Sequence, residues 1–445
     1  MTDVQLTRRL HDATIAAFER REPAGRALAD MAEHIAQACH DMAVRFHRSG
    51  TLLAFGNGGP STDAQHVSVE FVHPVIVGKR ALPALSLVTD AATLMGVARR
   101  SGLDEVFAHQ IGVLGSGDDI ALGISSDGND RNVLRGLEAA RGAGLLTVAL
   151  LGGDGGRIAA SPAVDHALVV PADDPHVVKE VHVTAYHVLW ELVHVFFEQP
   201  GLLSGGVGAQ SSTGGIEGLY PFLYEGSSDL DAVLADVARS TAEKASDIVA
   251  LRRAVGDAEA GRVAGCAGDL ADAFAAGGRL LAFGNGGSSS DAQEVAQSFL
   301  DPADPDMTPL PALCLTNDVA VITALSNDVD FDVVFARQVR AFGRPGDVVV
   351  GLSTSGNSPN VIAAFEAARD LGMITVGLAG NEGGQMAESD AIDHLFVVPS
   401  ASVHRIQEVQ TTLYHVLREL TALGLEASTP SDGDIDRRTD VTSRP

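Results

Sequence analysis

The chain has 445 residues, of which 31 are basic and 58 acidic, so its formal net charge at neutral pH is −27. Nucleic acids and anionic membranes are bound through clustered lysine and arginine. The excess of acidic residues therefore argues against both as partners. Because 45% of the residues are hydrophobic and only 20% are charged, the chain can bury a large core and is not broadly disordered.

The first residues, MTDVQLTRRLHDATIAAF, mix acidic and basic side chains and lack the continuous apolar run of a signal peptide. No segment reaches the roughly 18 consecutive apolar residues that a membrane span requires. The three cysteines, Cys39, Cys266 and Cys314, are far apart and form no CxxC pair. These features predict a cytoplasmic protein without disulfide bonds.

The sequence contains two copies of one unit. The octapeptide LLAFGNGG begins at Leu52 and again at Leu280, 228 residues later. Over the 23 positions that follow each start, 15 are identical, and the same offset relates His187 to His415. A constant register over this distance indicates a tandem duplication, which replaces the three domains that length alone suggests.

The duplication divides the chain into two domains and two connecting or terminal segments. Copy one covers residues 1–200, and copy two covers residues 229–425. Residues 201–228 are rich in glycine and serine and are interpreted as a linker, in the form of a long surface loop. Residues 426–445 are polar and poor in apolar side chains, which predicts a disordered tail.

Each copy is predicted to begin with a helical hairpin, which in copy one includes residues 27–46. Short apolar runs then alternate with helical patterns; in copy two the predicted strands are, in order, RLLAFGN, PALCLT, DVVVGLS, MITVGLAG and HLFVVP. An amphipathic helix, RIQEVQTTLYHVLREL, closes the copy. This alternation predicts the α/β class, with two tandem doubly wound parallel sheets.

Two strand ends carry the candidate binding chemistry, because ligands of open α/β sheets bind outside the carboxyl ends of the strands. The first is the glycine loop GNGG, whose backbone amides at the start of a helix favour an anion. The second, GLSTSGNSPN in copy two, supplies hydroxyl groups that suit a phosphate. In copy one, Asp127 and Asp130 replace two of these hydroxyls and would repel a phosphate. A purely structural alternative is that all these polar residues cap helices.

The motifs GNGGSSSDAQ, GLSTSGNSPNVI and the late RIQE helix with its histidine resemble the SIS (sugar isomerase) domain. Within that family, the resemblance is closest to the phosphoheptose, or sedoheptulose 7-phosphate, isomerases, and it covers almost all of each copy. The motifs are specific for the fold and less so for the activity, because related SIS proteins include sugar-phosphate sensors without catalysis and a replication-initiator-binding protein.

For copy two, the resemblance implies a sugar-phosphate site. The implied substrate-binding residues are Asn285, Gly286, Gly287, Ser288, Asn327, Asp328, Ser353, Thr354, Ser355, Ser358 and Gln407. His415 is implied as a catalytic residue. The acid/base glutamate is missing, because Ser298 stands in its place, and Glu294 replaces the motif histidine. Copy two alone is therefore expected to bind a sugar phosphate without isomerising it.

For copy one, the resemblance implies the complementary set. Glu70 and His187 are the implied catalytic residues, and His66, Glu70 and His187 are the implied ligands of a zinc ion, the one cofactor that some members hold. His66 and Glu70 are spaced i, i+4 and so share one helix face. The phosphate-binding positions are altered: Pro60 lies in the glycine loop, Arg99 and Arg100 replace the Asn-Asp pair, and Lys179 replaces the glutamine. These three basic residues could neutralise Asp127 and Asp130, which would close the phosphate pocket with salt bridges or adapt it to another ligand.

Three hypotheses for function follow. In the first, Glu70 of copy one completes a composite site whose phosphate cradle and His415 come from copy two, and this site isomerises sedoheptulose 7-phosphate through an enediol. In the second, the protein is a regulatory or scaffold protein that binds a sugar phosphate without turnover. In the third, it acts on a different phosphorylated sugar. By analogy with the family's four-domain particle, two tandem chains are expected to form a homodimer.

Overall fold

The computed structural model describes residues 3–76, 78–198, 200–203 and 230–428. Most of the predicted linker therefore lies outside the described residues, and so does the predicted tail beyond Ser428. The last helix runs to Ser428 and so includes the first three residues assigned to the tail. None of the described helices combines the length and apolar character that a membrane span needs.

In copy one, a helical N-terminal region precedes alternating strands and helices. The elements are α1 (Asp3–Glu19), α2 (Glu22–Ala27), α3 (Ala32–His47), β1 (Leu52–Gly56), α4 (Gly59–Val72), β2 (Ala84–Ser86), α5 (Ala91–Ser101), α6 (Val106–Leu114), β3 (Ile120–Ser125), α7 (Arg131–Gly142), β4 (Leu146–Gly152), α8 (Gly156–Ala159), β5 (His166–Val170), α9 (Pro175–Phe197) and α10 (Pro200–Leu203).

Copy two repeats this order after one long helix. Its elements are α11 (Leu230–Ala275), β6 (Leu280–Gly284), α12 (Gly287–Leu300), β7 (Ala312–Cys314), α13 (Val319–Asp328), α14 (Val334–Phe342), β8 (Val348–Ser353), α15 (Pro359–Asp370), β9 (Ile374–Gly380), α16 (Gly384–Glu388), β10 (His394–Val398) and α17 (Val403–Ser428).

Each copy contains one five-stranded sheet in which every neighbouring pair is parallel. The strand orders are β2-β1-β3-β4-β5 and β7-β6-β8-β9-β10. Strands β1, β3 and β4 are buried along their whole length. Continuous burial is what a parallel sheet covered by helices on both faces requires, which is why these runs do not alternate with polar residues. The predicted fold class is confirmed.

The structure differs from the prediction at the start of each copy. Copy two begins with a single helix of 46 residues, α11, and not with a hairpin. Copy one has three shorter helices over the equivalent stretch, with Pro23 in the first turn of α2. Proline cannot donate the backbone hydrogen bond of a helix interior, so it marks a break, whereas Leu251 at the same position of copy two lets the helix continue.

The N-terminal helices are exchanged between the copies. Leu10 and Phe18 of α1 are buried in the core of copy two, where they pack with residues of α11 and α17. Conversely, Val233 and Val237 at the start of α11 are buried in the core of copy one. Each hydrophobic core therefore contains a helix from the other copy, so that the burial of apolar side chains in each core depends on both copies.

Four helices meet where the two copies join. The helices that follow the glycine loops, α4 and α12, pack against each other; α9 packs against α4, α17 packs against α12, and α9 and α17 pack against each other. Residues 176–196 of α9 are buried without interruption. Polar side chains that these helices direct inwards must therefore find partners among themselves, because buried polar groups are otherwise costly.

Candidate functional site

In copy two, two asparagines connect the glycine loop to residues 351–360 (GLSTSGNSPN), which we call the hydroxyl loop. The Nδ2 of Asn285 donates to the Oδ1 of Asn360 at 2.9 Å, and the Nδ2 of Asn360 donates back at 3.0 Å. Asn285 thus fixes one loop against the other. Asn360 was not among the predicted site residues, although the duplication offers a signal for it, because Asn57 and Asn132 form the same pair in copy one.

The hydroxyl loop presents neutral groups toward the end of β8. The Oγ atoms of Ser353 and Ser358 are 3.0 Å apart, and the backbone N–H of Asn357 donates to the Oγ of Ser355 at 3.2 Å. Ser355 is exposed and Thr354 partly exposed, so both hydroxyls remain accessible. A cavity of about 580 Å³, bordered by Ser355 and Ala401, lies beside the loop. The loop offers hydroxyl donors and no carboxylate, which suits a phosphate.

In copy one, three predicted residues lie together in the interior. One ligand atom each of His66, Glu70 and His187 lies within 4.8 Å of the other two. The Nε2 of His66 is 3.6 Å from the Oε1 of Glu70. All three side chains are buried. Burial opposes charge on Glu70, but hydrogen bonds and charge from His404 and His66 outweigh it and lower the pKa of Glu70 below its usual range.

Copy two reaches this group through Gln407 and Gly287. The Nε2 of Gln407 lies 3.2 Å from the Nε2 of His66. A Cβ added to Gly287 would lie 2.7 Å from the same His66 nitrogen, so the glycine loop of copy two touches the histidine of copy one. We call His66, Glu70, His187 and Gln407 the composite cluster, because it draws side chains from both copies.

Glu408 orients His187 within the composite cluster. The Nδ1 of His187 donates to the Oε1 of Glu408 at 3.0 Å, and its Nε2 has no hydrogen-bond partner in the described part of the chain. Burial, helped by the neighbouring His404, lowers the pKa of His187 to about 4. At neutral pH the ring is therefore uncharged, with the lone pair of Nε2 free to accept a proton or bind a metal.

His404 is a buried site residue that the sequence analysis missed. Its Nε2 lies 3.2 Å from the Oε2 of Glu70, its Nδ1 lies 3.0 Å from the Oε1 of Glu191, and its ring stacks on His187 at 4.3 Å. Burial alone would lower the pKa of His404, but the two carboxylates raise it to about 9. His404 therefore acts as a cation that holds Glu70 ionised. It adjoins the RIQE motif, but only its contacts reveal its role.

The composite cluster fits a divalent metal ion of the zinc type. It offers two imidazoles and a carboxylate within mutual reach. Among the described residues, the Nε2 of His187 and the Oε1 of Gln407 have no hydrogen-bond partner although both are buried. Nitrogen and oxygen donors in this number are those that catalytic zinc sites use, and Glu408 supplies the outer carboxylate that usually orients a metal-bound histidine.

The structure does not place His415 beside Glu70. The Nδ1 of His415 lies 3.0 Å from Glu180, its Nε2 lies 3.6 Å from Glu294, and its ring stacks on His176 at 4.3 Å. The reason is that α9 packs on α4 and α17 packs on α12, so that His187 lies beside Glu70 and His415 beside Glu294, while each histidine also contacts a glutamate of the other copy. We call Glu294, Ser298, His415 and Lys179 the second cluster; its members are the 228-residue counterparts of the composite cluster.

The three basic residues of copy one do not neutralise Asp127 and Asp130, contrary to expectation. Arg99 and Arg100 are exposed on α5 and form no ion pair in the described chain, and Lys179 pairs elsewhere. Asp130 accepts instead from the Nδ2 of Asn57 at 2.7 Å and from the hydroxyl of Ser125, and Asp127 accepts from the backbone N–H of Asn129. The carboxylates thus serve as local hydrogen-bond acceptors, for which hydroxyl and amide donors suffice.

Asn327 and Asp328 lie at the exposed end of α13. The Nδ2 of Asn327 donates to the Oδ1 of Asp328 at 2.8 Å. Among the described hydrogen bonds and ion pairs, none joins this pair to the glycine loop or the hydroxyl loop. The structure therefore does not bring these two predicted residues into contact with the rest of the cradle.

Comparison with known proteins finds one domain type in both copies. A model of the SIS domain matches residues 21–152 and 245–380, more than half of the chain. The phosphoheptose isomerase of Desulfovibrio desulfuricans is 51% identical over 153 residues, which are 34% of this chain and 71% of that protein. The phosphoheptose isomerase of Aquifex aeolicus is 46% identical over 154 residues, 35% of this chain and 80% of that protein. Each match has about the length of one copy.

A solved structure resembles the chain as a whole. The tagatose-6-phosphate ketose/aldose isomerase of Escherichia coli is 10% identical, covers 94% of both chains and has a TM-score of 0.55. At this identity the likeness concerns the fold alone. It extends over both copies and therefore agrees with a two-domain arrangement within one chain.

Proposed function

The chain belongs to the SIS domain family, and we propose that it is a phosphosugar isomerase that interconverts the ketose and aldose forms of a heptose 7-phosphate such as sedoheptulose 7-phosphate. The observation that carries this proposal is the contact between His66 of copy one and the glycine loop of copy two. His66 lies against Gly287 and within mutual reach of Glu70 and His187, and the named relatives are phosphoheptose isomerases.

Copy two supplies the anchor for the phosphate. The backbone amides at the start of α12 and the hydroxyls of Ser353, Thr354, Ser355 and Ser358 are neutral donors. The net charge of −27 does not oppose this, since charges farther than roughly 10 Å are screened at ordinary salt. Anchoring the phosphate at these loops presents the sugar's first carbons to the composite cluster, and such fixation contributes much of an enzyme's rate enhancement.

Copy one supplies the proton transfers. Isomerisation moves one proton between C1 and C2 through an enediol, and one proton between the two oxygens. Glu70, ionised and fixed by His404 and His66, is the base for the carbon-bound proton. His187, uncharged and with a free Nε2, exchanges protons with the oxygens. His187, one of the two histidines implied as catalytic, thus takes the place that the composite-site hypothesis gave to His415.

Zinc is part of the proposal as a cofactor held by this chain's own residues. His66, Glu70, His187 and Gln407 would hold the ion, and Glu408 would orient His187. When bound, the metal would polarise the carbonyl oxygen of the sugar as a Lewis acid. The Nε2 of His187 cannot hold the ion and exchange protons at the same time, because its Nδ1 is bonded to Glu408; with the ion bound, proton exchange with the sugar oxygens would fall to another group.

The first test removes the base. Glu70→Gln keeps the shape of the side chain but cannot accept a proton, so turnover of sedoheptulose 7-phosphate is expected to fall at least ~10²-fold. Turnover is followed by NMR of the sugar signals. The matched control is Ser298→Ala, at the equivalent position of copy two, which is expected to retain activity. Unchanged turnover in Glu70→Gln overturns the composite site.

The second test removes the anchor. Ser355→Asp puts a carboxylate where a phosphate oxygen is expected, so KM should rise at least ~10-fold through charge repulsion. The matched control is Asp127→Ser, the reverse change in copy one, which should leave KM unaltered. Equal effects of the two variants would mean that the phosphate does not bind in copy two.

A non-catalytic sugar-phosphate-binding protein is the second candidate function. The observation that favours it is that both oxygens of Glu70 already face histidines, His66 and His404, which restrains the carboxylate as a base. In this case calorimetry would detect sugar-phosphate binding that Ser355→Asp weakens, while NMR would detect no isomerisation by the wild-type protein.

We propose that two chains assemble into a homodimer with four SIS domains. Large apolar side chains are exposed at equivalent positions of both copies, which is unusual for a surface that faces only water. The exposed pairs are Val72 and Leu300, Leu85 and Leu313, Leu103 and Phe331, and Leu114 and Phe342. Exposed apolar side chains that recur at equivalent positions of the two copies are suited to a symmetric partner, and a second copy of this chain is that partner.

A further inference from the structure

The second cluster contains a cation that the composite cluster lacks. Lys179 is 5% exposed, and its Nζ lies 2.6 Å from the Oδ1 of Asp63 and 3.5 Å from the Oε2 of Glu294. It also donates to the Oγ1 of Thr62 at 2.9 Å and to the backbone oxygen of Gly59 at 3.1 Å. The ammonium group is therefore surrounded by four oxygen atoms, two of which belong to carboxylates.

These contacts keep the amine charged despite its burial. Desolvation alone lowers the pKa of a buried lysine, but Asp63 and Glu294 together raise the pKa of Lys179 above its ordinary value. An ammonium among carboxylate, hydroxyl and carbonyl oxygens has the environment of an oxygen-bound metal cation.

The equivalent carboxylate near the composite cluster has no such cation. Asp291 corresponds to Asp63; its Oδ1 lies 3.4 Å from the hydroxyl of Tyr414 and 4.0 Å from the Nδ1 of His66. Within the described chain, no lysine or arginine forms an ion pair with Asp291, and its Oδ2 has no hydrogen-bond partner. Burial raises the pKa of Asp291 to about 6. The equivalent carboxylates thus differ in that a lysine pairs with Asp63, whereas no lysine or arginine of the described chain pairs with Asp291.

We propose that the ammonium group of Lys179 is a built-in cation that occupies the second cluster and closes it to divalent metal ions, so that each chain has one metal-competent cluster. The proposal rests on the proposed function only for the statement that the composite cluster holds a metal. The closure of the second cluster stands on the contacts of Lys179 alone.

Three changes at equivalent positions produce the closure. Gln407, whose amide oxygen is free, is replaced by Lys179; His66 is replaced by Glu294; and Glu70 is replaced by Ser298. Among these, Ser298 is turned to its own helix, where its Oγ donates to the backbone oxygen of Val295 at 2.9 Å.

His415 remains: its Nδ1 lies 3.0 Å from Glu180, and its Nε2, which has no hydrogen-bond partner among the described residues, lies 3.6 Å from the Oε1 of Glu294. A metal ion would have to displace an ammonium group from two carboxylates and would then find fewer ligands than in the composite cluster.

The ion pairs of Lys179 also connect the two copies. Lys179 and Asp63 belong to copy one, whereas Glu294 belongs to copy two and accepts a further hydrogen bond from the Oγ1 of Thr62 at 2.8 Å. The second cluster has therefore exchanged a metal-binding arrangement for an ionic link at the centre of the molecule.

The first experiment reopens the second cluster. The triple variant Lys179→Gln, Glu294→His, Ser298→Glu restores there the side chains of the composite cluster. With ZnCl₂ as the probe, equilibrium dialysis and elemental analysis are expected to give one more zinc ion per chain than in the wild-type protein. A folded triple variant with the wild-type zinc content overturns the proposal.

The expected difference of one ion does not depend on whether the composite cluster binds zinc. A wild-type protein without zinc and a triple variant with one ion would refute the proposed zinc at the composite cluster and support the closure. One zinc ion per chain in both the wild type and the triple variant would support zinc at the composite cluster and refute the closure of the second cluster. The experiment therefore tests the two proposals separately.

The second experiment remains informative if the triple variant does not fold. Lys179→Met leaves Asp63 and Glu294 without a cation and is expected to lower the melting temperature by several degrees, whereas Lys179→Arg keeps the charge and should lower it less. In the reciprocal variant, Gln407→Lys, an ammonium group beside Asp291 is expected to abolish zinc binding to the composite cluster. A Lys179→Met protein as stable as the wild type would overturn the proposal.

Discussion

Gly287 is the residue at which the two copies approach each other within the candidate site. A Cβ there would clash with the amide nitrogen of Gln407 and lie 2.7 Å from the Nε2 of His66. Its counterpart Gly59 has more room, because the nearest atom to an added Cβ is the Oε1 of Glu294 at 3.2 Å. The two equivalent glycines thus differ in how much space an added side chain would have, and this difference depends on the residues that the other copy places beside each loop.

We predict that Gly287→Ala lowers turnover at least ~10-fold, because the methyl group must push His66 or Gln407 out of the composite cluster. Gly59→Ala is the matched control and should lower turnover less than twofold, since the side chain of Glu294 can move by a few tenths of an ångström. Steady-state kinetics on both variants measure the difference. Similar losses in the two would mean that backbone flexibility, and not the contact with His66, is what the glycines supply.

His182 gives a prediction for the dependence of stability on pH. It is 1% exposed, its Nε2 donates to the backbone oxygen of Leu151 at 3.1 Å, and burial lowers its pKa to about 4. Between pH 6.5 and 4 the unfolded chain binds a proton at His182 that the folded chain does not bind. Stability therefore falls as the pH is lowered through this range.

Copy two has Gln410 at the same position, so His182→Gln is a natural replacement. The variant should remove this contribution, about 3 kcal/mol at pH 4 and none above pH 7. Denaturant unfolding at several pH values is the measurement. Parallel stability curves for the wild type and the variant would show that folding does not lower the pKa of His182.

At the scale of elements, α11 is the part that the two cores share. With 46 residues it is about 70 Å long. Its first half packs in the core of copy one and its second half in the core of copy two. In copy one the equivalent stretch is interrupted near Pro23, and α1, which precedes the interruption, packs on α11 in the core of copy two. The interruption thus lets α1 pack against the continuous helix of the other copy.

We predict that Leu251→Pro destabilises the protein by about 3 kcal/mol or more, since proline removes a backbone hydrogen bond and its ring clashes with the preceding turn. Leu251→Ala is the control for the lost side chain, which is only partly buried. Thermal unfolding followed by circular dichroism compares them. Equal melting temperatures of the two variants would mean that a break in α11 is tolerated as it is in copy one.

At the scale of the whole molecule, duplication has made one chain with two inequivalent halves. Copy two keeps the hydroxyl loop but has Ser298 in place of the glutamate, and copy one keeps Glu70 but has aspartates in its loop. Because the two retained parts complement each other, one site can still be formed between the copies. The exposed apolar pairs, in contrast, are alike in both copies. The interior has diverged and this part of the surface has not, as expected if a symmetric partner covers it.

We predict that the wild-type protein has twice the 46.1 kDa mass of one chain in solution and that the double variant Leu103→Asp, Phe331→Asp has the mass of one chain. Two carboxylates per chain, buried in a symmetric interface, would repel each other and lose their hydration. Light scattering after size exclusion measures the mass. Val4→Asp, at an exposed position outside the repeated pairs, should remain dimeric, and a wild-type single chain would refute the assembly.

The sequence by itself determined the duplication, the parallel sheets and the two loops at their carboxyl ends. These features are local: a repeat has a constant register, buried strands are continuously apolar, and glycine and hydroxyl residues follow a strand directly. Even the inequivalence of the copies is visible, because Asp127, Pro60 and Lys179 stand where copy two has other residues.

Only the tertiary structure decided which side chains meet. It brought His187 and His404 to Glu70, assigned His415 to Glu180 and Glu294, and paired Lys179 with Asp63. Helical periodicity shows that one face of a helix is buried but not which helix covers it. The partners of a buried charge depend on how α4, α9, α12 and α17 cross, and their packing is a property of the folded chain as a whole.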